Sequence, residues 1–90
     1  MPNYVYVLKS EKDGYNYVGC TNNLRRRLKE HADGLVFSTT RRRPLILIYA
    51  EYYLNQKDAF ERERFLKTGW GKNYLKRSLK NWSKKLGGLT

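Results

Sequence analysis

Two side chains in the segment YVGCTNNLRRRLKEH, residues 17–31, have the types and the spacing that phosphate chemistry needs. On a helix with ~100° per residue, Arg27 and His31 lie four positions apart on one flank, at the edge of an apolar stripe. Arg25 and Arg26 point elsewhere. A guanidinium fork matches a phosphate, and a histidine can move a proton near neutral pH. The alternative is structural, with Arg27 laying its stem on the core and His31 filling an edge position.

A carboxylate is predicted on the apolar face of a later helix. Ala59 and Leu66 share this face with Glu63, whereas Glu61 lies near the opposite, exposed side. Burying an unpaired carboxylate is costly, so such a group is paired, protonated or bound to a metal. Two interpretations of Glu63 therefore stand level: a salt bridge to a nearby Lys or Arg, or a metal ligand at the sheet surface.

The only cysteine, Cys20, excludes an internal disulfide, and with one histidine it leaves too few soft ligands for a structural zinc site. Cys20 follows Gly19 and could be imagined as a nucleophile at a helix N-terminus. His31 lies about three turns away along the helix, too far to act as its base. We therefore expect a small buried filler and a reducing compartment.

The charge balance predicts a polyanionic partner. Nineteen Lys and Arg against eight Asp and Glu give a net charge of +11 over 90 residues. Such a balance favours DNA, with RNA as a further candidate and an anionic membrane surface as the alternative. The N-terminus does not resemble a secretion signal, and no run approaches the ~20 apolar residues of a spanning helix. We expect a cytoplasmic protein that does not cross a membrane.

Three strands and three helices are expected to position these side chains. Residues 4–8 and 15–19 predict a hairpin around the turn signal at 12–14. Residues 45–53 are the most apolar stretch, which predicts a central strand buried on both faces. Helices are predicted near 23–32, 55–67 and 72–82. A single domain is expected at 1–82, followed by a flexible basic tail at 83–90.

Taken in order, these motifs resemble the GIY-YIG nuclease superfamily. Tyr-Val-Tyr at 4–6 and Tyr-Val-Gly at 17–19 precede Arg27, His31 and the helical Glu63. The resemblance covers most of the chain and is nearest to small stand-alone bacterial members and to the N-terminal nuclease domain of the excinuclease that acts in nucleotide-excision repair. It implies an α+β fold, with a three-stranded antiparallel sheet flanked by helices and a divalent-metal phosphodiesterase site on its surface.

By position, the resemblance assigns the catalytic set. Tyr6 matches the last residue of the first motif, and Tyr17 the first residue of the second. Arg27 matches the family arginine, and His31 a histidine found in many members. Glu63 matches the metal-binding glutamate, which implies a single Mg²⁺ or Mn²⁺ completed by waters and a phosphate oxygen.

Two features depart from the name-giving pattern. Tyr4 stands where the first motif has glycine, and valine replaces both isoleucines, at positions that mainly pack. Asn73 lies in the neighbourhood of a late asparagine that some members place near the metal.

The expected mechanism divides the work among these groups. Arg27 would contact the scissile phosphate, a phenol, Tyr6 or Tyr17, would orient or deprotonate a water, and His31 would relay the proton. Further cations would contact the nucleic-acid backbone without reading bases, unless they form only a solvated charge run. These cations are Arg25, Arg26, Lys29, Arg41, Arg42 and Arg43.

The sequence therefore favours a divalent-metal-dependent DNA endonuclease, with repair or the processing of branched DNA as its setting. A non-catalytic nucleic-acid-binding module of the same fold is the main alternative, and a small basic scaffold within a ribonucleoprotein is a third. A protein partner for targeting is compatible with this size, and a monomer or weak dimer is expected.

Overall fold

A computed structural model describes residues 3–82, so the tail predicted at 83–90 lies outside the described residues. The fold is α+β, with a three-stranded antiparallel sheet and three helices, as the sequence predicts. The elements in chain order are β1 (Asn3–Ser10), β2 (Asn16–Thr21), α1 (Leu24–Ala32), a single 3₁₀ turn (Thr40–Arg42), β3 (Leu45–Tyr53), α2 (Gln56–Leu66) and α3 (Gly69–Ser78).

The strand order is β2-β1-β3, which makes β1 the central strand. Four consecutive residues of β1, at 5–8, are buried, so both faces of this strand are covered. The prediction that residues 45–53 form the central strand buried on both faces was wrong. β3 lies at the edge, none of its residues is fully buried, and Leu47 and Tyr52 are exposed. Apolar composition reports contact on one face here, whereas strand order depends on long-range pairing.

Helix α1 follows its predicted bounds but not its predicted burial. Its N-cap is Asn23, whose side-chain oxygen accepts a hydrogen bond from the Arg26 N–H at 3.1 Å. The helix ends at Ala32, so Leu35 falls outside the helical stripe and is exposed. His31, predicted at the stripe's edge, is instead the only fully buried residue of α1. Both ring nitrogens have polar partners, and burial therefore leaves neither of them unpaired.

Helix α2 begins after the predicted cap Asn55 and ends at Leu66. Helix α3 begins at Gly69, three residues before its predicted start, because the Thr68 hydroxyl accepts a hydrogen bond from the Gly71 N–H at 3.1 Å. A Cβ atom at Gly71 would lie 2.1 Å from a backbone oxygen of α2. The tight α2–α3 corner therefore requires glycine at this position.

The main core lies on the face of the sheet that α2 and α3 cover. It is formed by Val5, Val7, Val18, Ala59, Leu66 and Leu75. Alternation along β1 sends Tyr6 and Leu8 to the other face, toward α1. No helix described between residues 3 and 82 combines the length and apolar character that crossing a bilayer demands.

Candidate active site

The ring of Tyr6 lies across the backbone of Gly19. These residues are paired between β1 and β2, and a Cβ atom at Gly19 would lie 2.5 Å from the phenol oxygen. Real Cβ atoms do not approach other heavy atoms so closely. The glycine of the second motif is therefore a steric requirement, because it allows the Tyr6 phenol to cross β2 toward α1.

Tyr6, His31 and Thr39 form a buried chain of hydrogen-bonding groups. The Tyr6 Oη atom lies 2.8 Å from His31 Nε2, and His31 Nδ1 lies 2.7 Å from Thr39 Oγ1. All three residues are at most 1% exposed. A neutral imidazole has one N–H donor and one acceptor nitrogen, so the tautomer decides whether Tyr6 donates to His31 or accepts from it.

Burial raises the pKa of Tyr6 to about 12, while interaction with the Arg27 guanidinium acts in the opposite direction. Burial also lowers the pKa of His31, and the positive charge of Arg27 lowers it further. At neutral pH the phenol is therefore protonated and the imidazole is neutral. Tyr6 alone is a weak base, but the adjacent imidazole has a lone pair that can accept a proton.

Tyr17 and Arg27 complete this cluster on its more open side. The Tyr17 ring centroid lies 5.2 Å from that of His31 and 6.3 Å from that of Tyr6. Arg27 is half-buried and forms an ion pair with Glu30 at 3.0 Å, which holds the guanidinium near the phenol. The structure thus brings together four of the residues predicted from the sequence, and Tyr17 and Arg27 are the two that solvent can reach.

Glu63 approaches the cluster from α2. Its negative charge raises the pKa of Tyr6 and of the Cys20 thiol, each in addition to burial, which is the larger cause. The carboxylate side chain is 22% exposed and forms an ion pair with Lys67 at 3.3 Å. The salt bridge considered for Glu63 is therefore present.

The donor set around Glu63 restricts which metal it could hold. Within residues 3–82 there is no group of three or more His, Cys, Asp or Glu side chains that could chelate an ion. A single carboxylate with waters and substrate oxygens fits a hard cation such as Mg²⁺ or Mn²⁺, and it does not fit zinc. The residues present are compatible with the metal that the sequence implies.

Cys20 is half-buried beside the core. Burial and the charge of Glu63 both raise the pKa of its thiol. A raised thiol pKa opposes nucleophilic reactivity, in agreement with the expected filler role.

Most of the cations predicted to bind a backbone make contacts within the protein. Arg26, Lys29 and Arg42 form ion pairs with Glu30, Asp33 and Asp13, and Arg43 donates to the carbonyls of Thr40 and Ala32. Of the six, only Arg25 and Arg41 have no side-chain partner among residues 3–82. Arg42 and Arg43 therefore also fasten the loop that carries them.

Two further residues change the interpretation drawn from the sequence. Thr39 was missed, because it lies in a loop eight residues beyond His31 and no spacing rule places its hydroxyl beside the imidazole. Asn73 is exposed on α3, whereas Lys72 and Leu75 of the same helix line the hollow beside Tyr17. Its assignment as a neighbour of the site stays a prediction.

Comparison with known proteins places the chain in a family. Residues 2–85 match the family described as GIY-YIG catalytic domain. A UPF0213 protein of Clostridium perfringens is 46% identical over 66 residues, which span 72% of this chain and 70% of that protein. The UPF0213 protein YazA of Bacillus subtilis is 40% identical over 65 residues, 71% of this chain and 65% of the relative.

A solved structure shares the fold. The solution NMR structure of the UPF0213 protein BH0048 from Bacillus halodurans superposes with a TM-score of 0.56 at 34% identity, and the match covers 89% of this chain and 86% of the other. Sequence, fold and the arrangement of the motif residues agree, and the chain belongs to the GIY-YIG nuclease family.

Proposed function

We propose that this protein is a divalent-metal-dependent DNA endonuclease that hydrolyses phosphodiester bonds. The observation that carries the proposal is the convergence of Tyr6, Tyr17, Arg27 and His31, with Glu63 close enough for its charge to affect Tyr6. The cluster includes a fixed cation, an imidazole that is neutral at pH 7 and two phenols. These groups match what in-line attack of water on a phosphodiester requires.

Arg27 and Tyr17 form the part of the cluster that substrate can touch. The Arg27 guanidinium would contact the scissile phosphate and oppose the negative charge that develops there. Its ion pair with Glu30 leaves further N–H donors on the fork, because a guanidinium has five. Tyr17 would orient the attacking water or the phosphate from the neighbouring strand.

Proton removal would use Tyr6 and His31 together. A phenol with a pKa of about 12 cannot supply much phenolate at neutral pH. Its oxygen can take a proton from water only as its own proton leaves, and the Nε2 atom of His31 lies 2.8 Å away to receive it. The water oxygen then bonds to phosphorus, the bond to the leaving oxygen breaks, and that oxygen takes a proton from solvent.

Glu63 would hold the metal, with waters and a phosphate oxygen completing its coordination. When bound, a hard divalent cation stabilises the charge on the phosphate and its leaving oxygen. In the free protein the ammonium of Lys67 neutralises Glu63, so binding the cation requires this ion pair to open.

The test is cleavage of a labelled panel of single-stranded, duplex, flapped and branched DNA with Mg²⁺ or Mn²⁺. The natural protein is compared with Glu63→Gln and with Glu61→Gln, a matched control on the exposed side of the same helix. We expect nicking that EDTA abolishes, a loss of roughly a hundredfold or more in Glu63→Gln and no change in Glu61→Gln. Equal cleavage by the two variants would exclude Glu63 from the reaction.

A non-catalytic nucleic-acid-binding module is the second candidate, and the Glu63–Lys67 ion pair is the observation that favours it. A carboxylate that is already neutralised can have a purely structural role. If none of the three proteins cuts any substrate, yet all bind DNA with the same salt-sensitive affinity, this candidate replaces the enzyme. A role in repair, binding of RNA, a targeting partner, a monomer or weak dimer and a cytoplasmic location stay predictions.

A further inference from the structure

A furrow leads from the candidate active site along α3 to the turn between β1 and β2. Its first hollow has a volume of about 370 Å³ and is bordered by Tyr17, Lys67 and Lys72. Its second hollow has a volume of about 440 Å³ and is bordered by Lys9, Lys72 and Lys76. Lys72 borders both hollows, together with Asn16 and Leu75, so the two join into one path that starts beside Tyr17.

The furrow is positively charged along its length. Four lysines border it, at positions 9, 67, 72 and 76, and the residues that line its two hollows include no carboxylate. Lys72 and Lys76 are exposed, and among residues 3–82 neither forms an ion pair. These two ammonium groups differ in this respect from most of the cations on α1 and its following loop, which are already engaged.

The floor and rim of the furrow suit a chain that is both charged and partly apolar. Ile48, Leu75 and Leu79 line the floor of the second hollow, and the Tyr15 ring at its rim is 74% exposed. Ammonium groups bind phosphates as point charges, and sugars and base faces pack on apolar and aromatic surfaces. A polynucleotide presents both kinds of group in alternation along its backbone.

We propose that this furrow binds the sugar–phosphate backbone of the nucleic-acid strand that passes through the candidate active site. Lys72 and Lys76 contact phosphates on one side of the position that Arg27 would occupy at the scissile phosphate. The direction of the strand rests on the proposed function, whereas the binding surface does not. Contacts of this kind carry no base readout, so the binding is independent of sequence and sensitive to salt.

The experiment compares the Lys72→Gln/Lys76→Gln variant with a matched control, Lys57→Gln/Arg64→Gln. The control removes two positive charges from exposed positions on α2 that do not border the furrow. The probe is a labelled DNA strand of mixed sequence, about three helical turns in length as a duplex, offered as a single strand and as a duplex. Affinity is measured between about 50 and 200 mM salt in EDTA, so that no cleavage occurs.

We expect the furrow variant to lose affinity and to reduce the slope of log K against log salt. Two lost phosphate contacts correspond to about 1.4 on a single strand and about 1.8 on a duplex. The control should keep the natural slope. Equal slopes for the two variants, or no binding by the natural protein, would overturn the proposal. Thermal unfolding of both variants checks that the exposed substitutions leave the fold intact.

The failure of this inference and of the proposed function would be distinguishable. A protein that binds through Lys72 and Lys76 but never cuts would contradict the endonuclease and leave the furrow proposal standing. A protein that cuts DNA in a Glu63-dependent manner, with an affinity indifferent to both lysines, would contradict the furrow proposal alone.

Discussion

Replacing Thr39 by valine tests whether the buried chain of hydrogen bonds directs proton movement. Valine matches threonine closely in shape but has no hydroxyl, so Thr39→Val removes only the partner of His31 Nδ1, which lies 2.7 Å from Thr39 Oγ1. In the proposed mechanism, Nδ1 carries the imidazole proton and donates it to Thr39, which leaves Nε2 free to accept from Tyr6. Without the hydroxyl, the proton should move to Nε2, whose phenol partner can accept it.

The size of the effect follows from the burial of the three groups. Thr39 and His31 are at most 1% exposed, so solvent cannot replace the lost partner. A buried polar atom left unpaired costs about 1–3 kcal/mol of stability. A general base in the wrong tautomer loses its contribution to the rate, which is on the order of a hundredfold. Thr39→Ser keeps the hydroxyl and should restore most of the activity.

His31 is the only histidine of the chain, so its imidazole gives a single set of side-chain NMR signals. Long-range proton–nitrogen correlation slightly above neutral pH should show the proton on Nδ1 in the natural protein and on Nε2 in Thr39→Val. Cleavage rates of the same proteins provide the functional readout. A natural protein with its proton on Nε2 would refute the proposed direction of transfer. An unchanged tautomer and rate in Thr39→Val would refute the positioning role.

Three further perturbations test the packing and charge arrangement. Gly19→Ala places a methyl group 2.5 Å from the Tyr6 phenol and should cost roughly 1–3 kcal/mol in urea unfolding, whereas Gly69→Ala, with no neighbour within 4 Å, should cost nothing; equal effects would contradict the steric argument. Arg62→Leu leaves the carboxylate of Glu51 without its two guanidinium bonds at 2.9 and 3.0 Å and should cost roughly 3 kcal/mol, and a loss below about 1 kcal/mol would show that the pair is solvated. Burial lowers the pKa of His31 in the folded state, so the unfolded chain takes up a proton first as pH falls below about 6.5, and the free energy of unfolding should decrease as the pH falls from about 7 to about 5. That decrease should vanish when His31 is replaced by glutamine, and its persistence would assign it to another group.

Local signals in the sequence were sufficient for the elements that carry the site. Asn23 and Asn55 are caps with short polar side chains, and both begin helices where predicted. The four-residue spacing of Arg27 and His31 identified a pair that does meet the motif tyrosines. These features depend on neighbours within one helical turn, and such neighbours are visible in the sequence.

The features that were missed depend on distant parts of the chain. The central position of β1 follows from pairing with strands on both sides, which no property of residues 3–10 displays. The hydroxyl of Thr39 reaches His31 only because the loop after α1 folds back over the helix. His31 was placed at the edge of a stripe because the wheel considered one helix, whereas its burial also comes from the sheet below.

The distribution of ion pairs explains why the nucleic-acid surface differs from the one suggested by the runs of arginine. Five carboxylates are paired within residues 3–82, and three of these carboxylates engage cations of α1 or of the loop that follows it. The arginine runs lie where acidic residues also lie, so much of their charge stabilises the fold. On α3 the sequence from 69 to 80 has no acidic residue, and its lysines have no such partners. In a chain with a net charge of +11, the cations that are free to bind phosphate are therefore those farthest from carboxylates, not those that are most densely clustered.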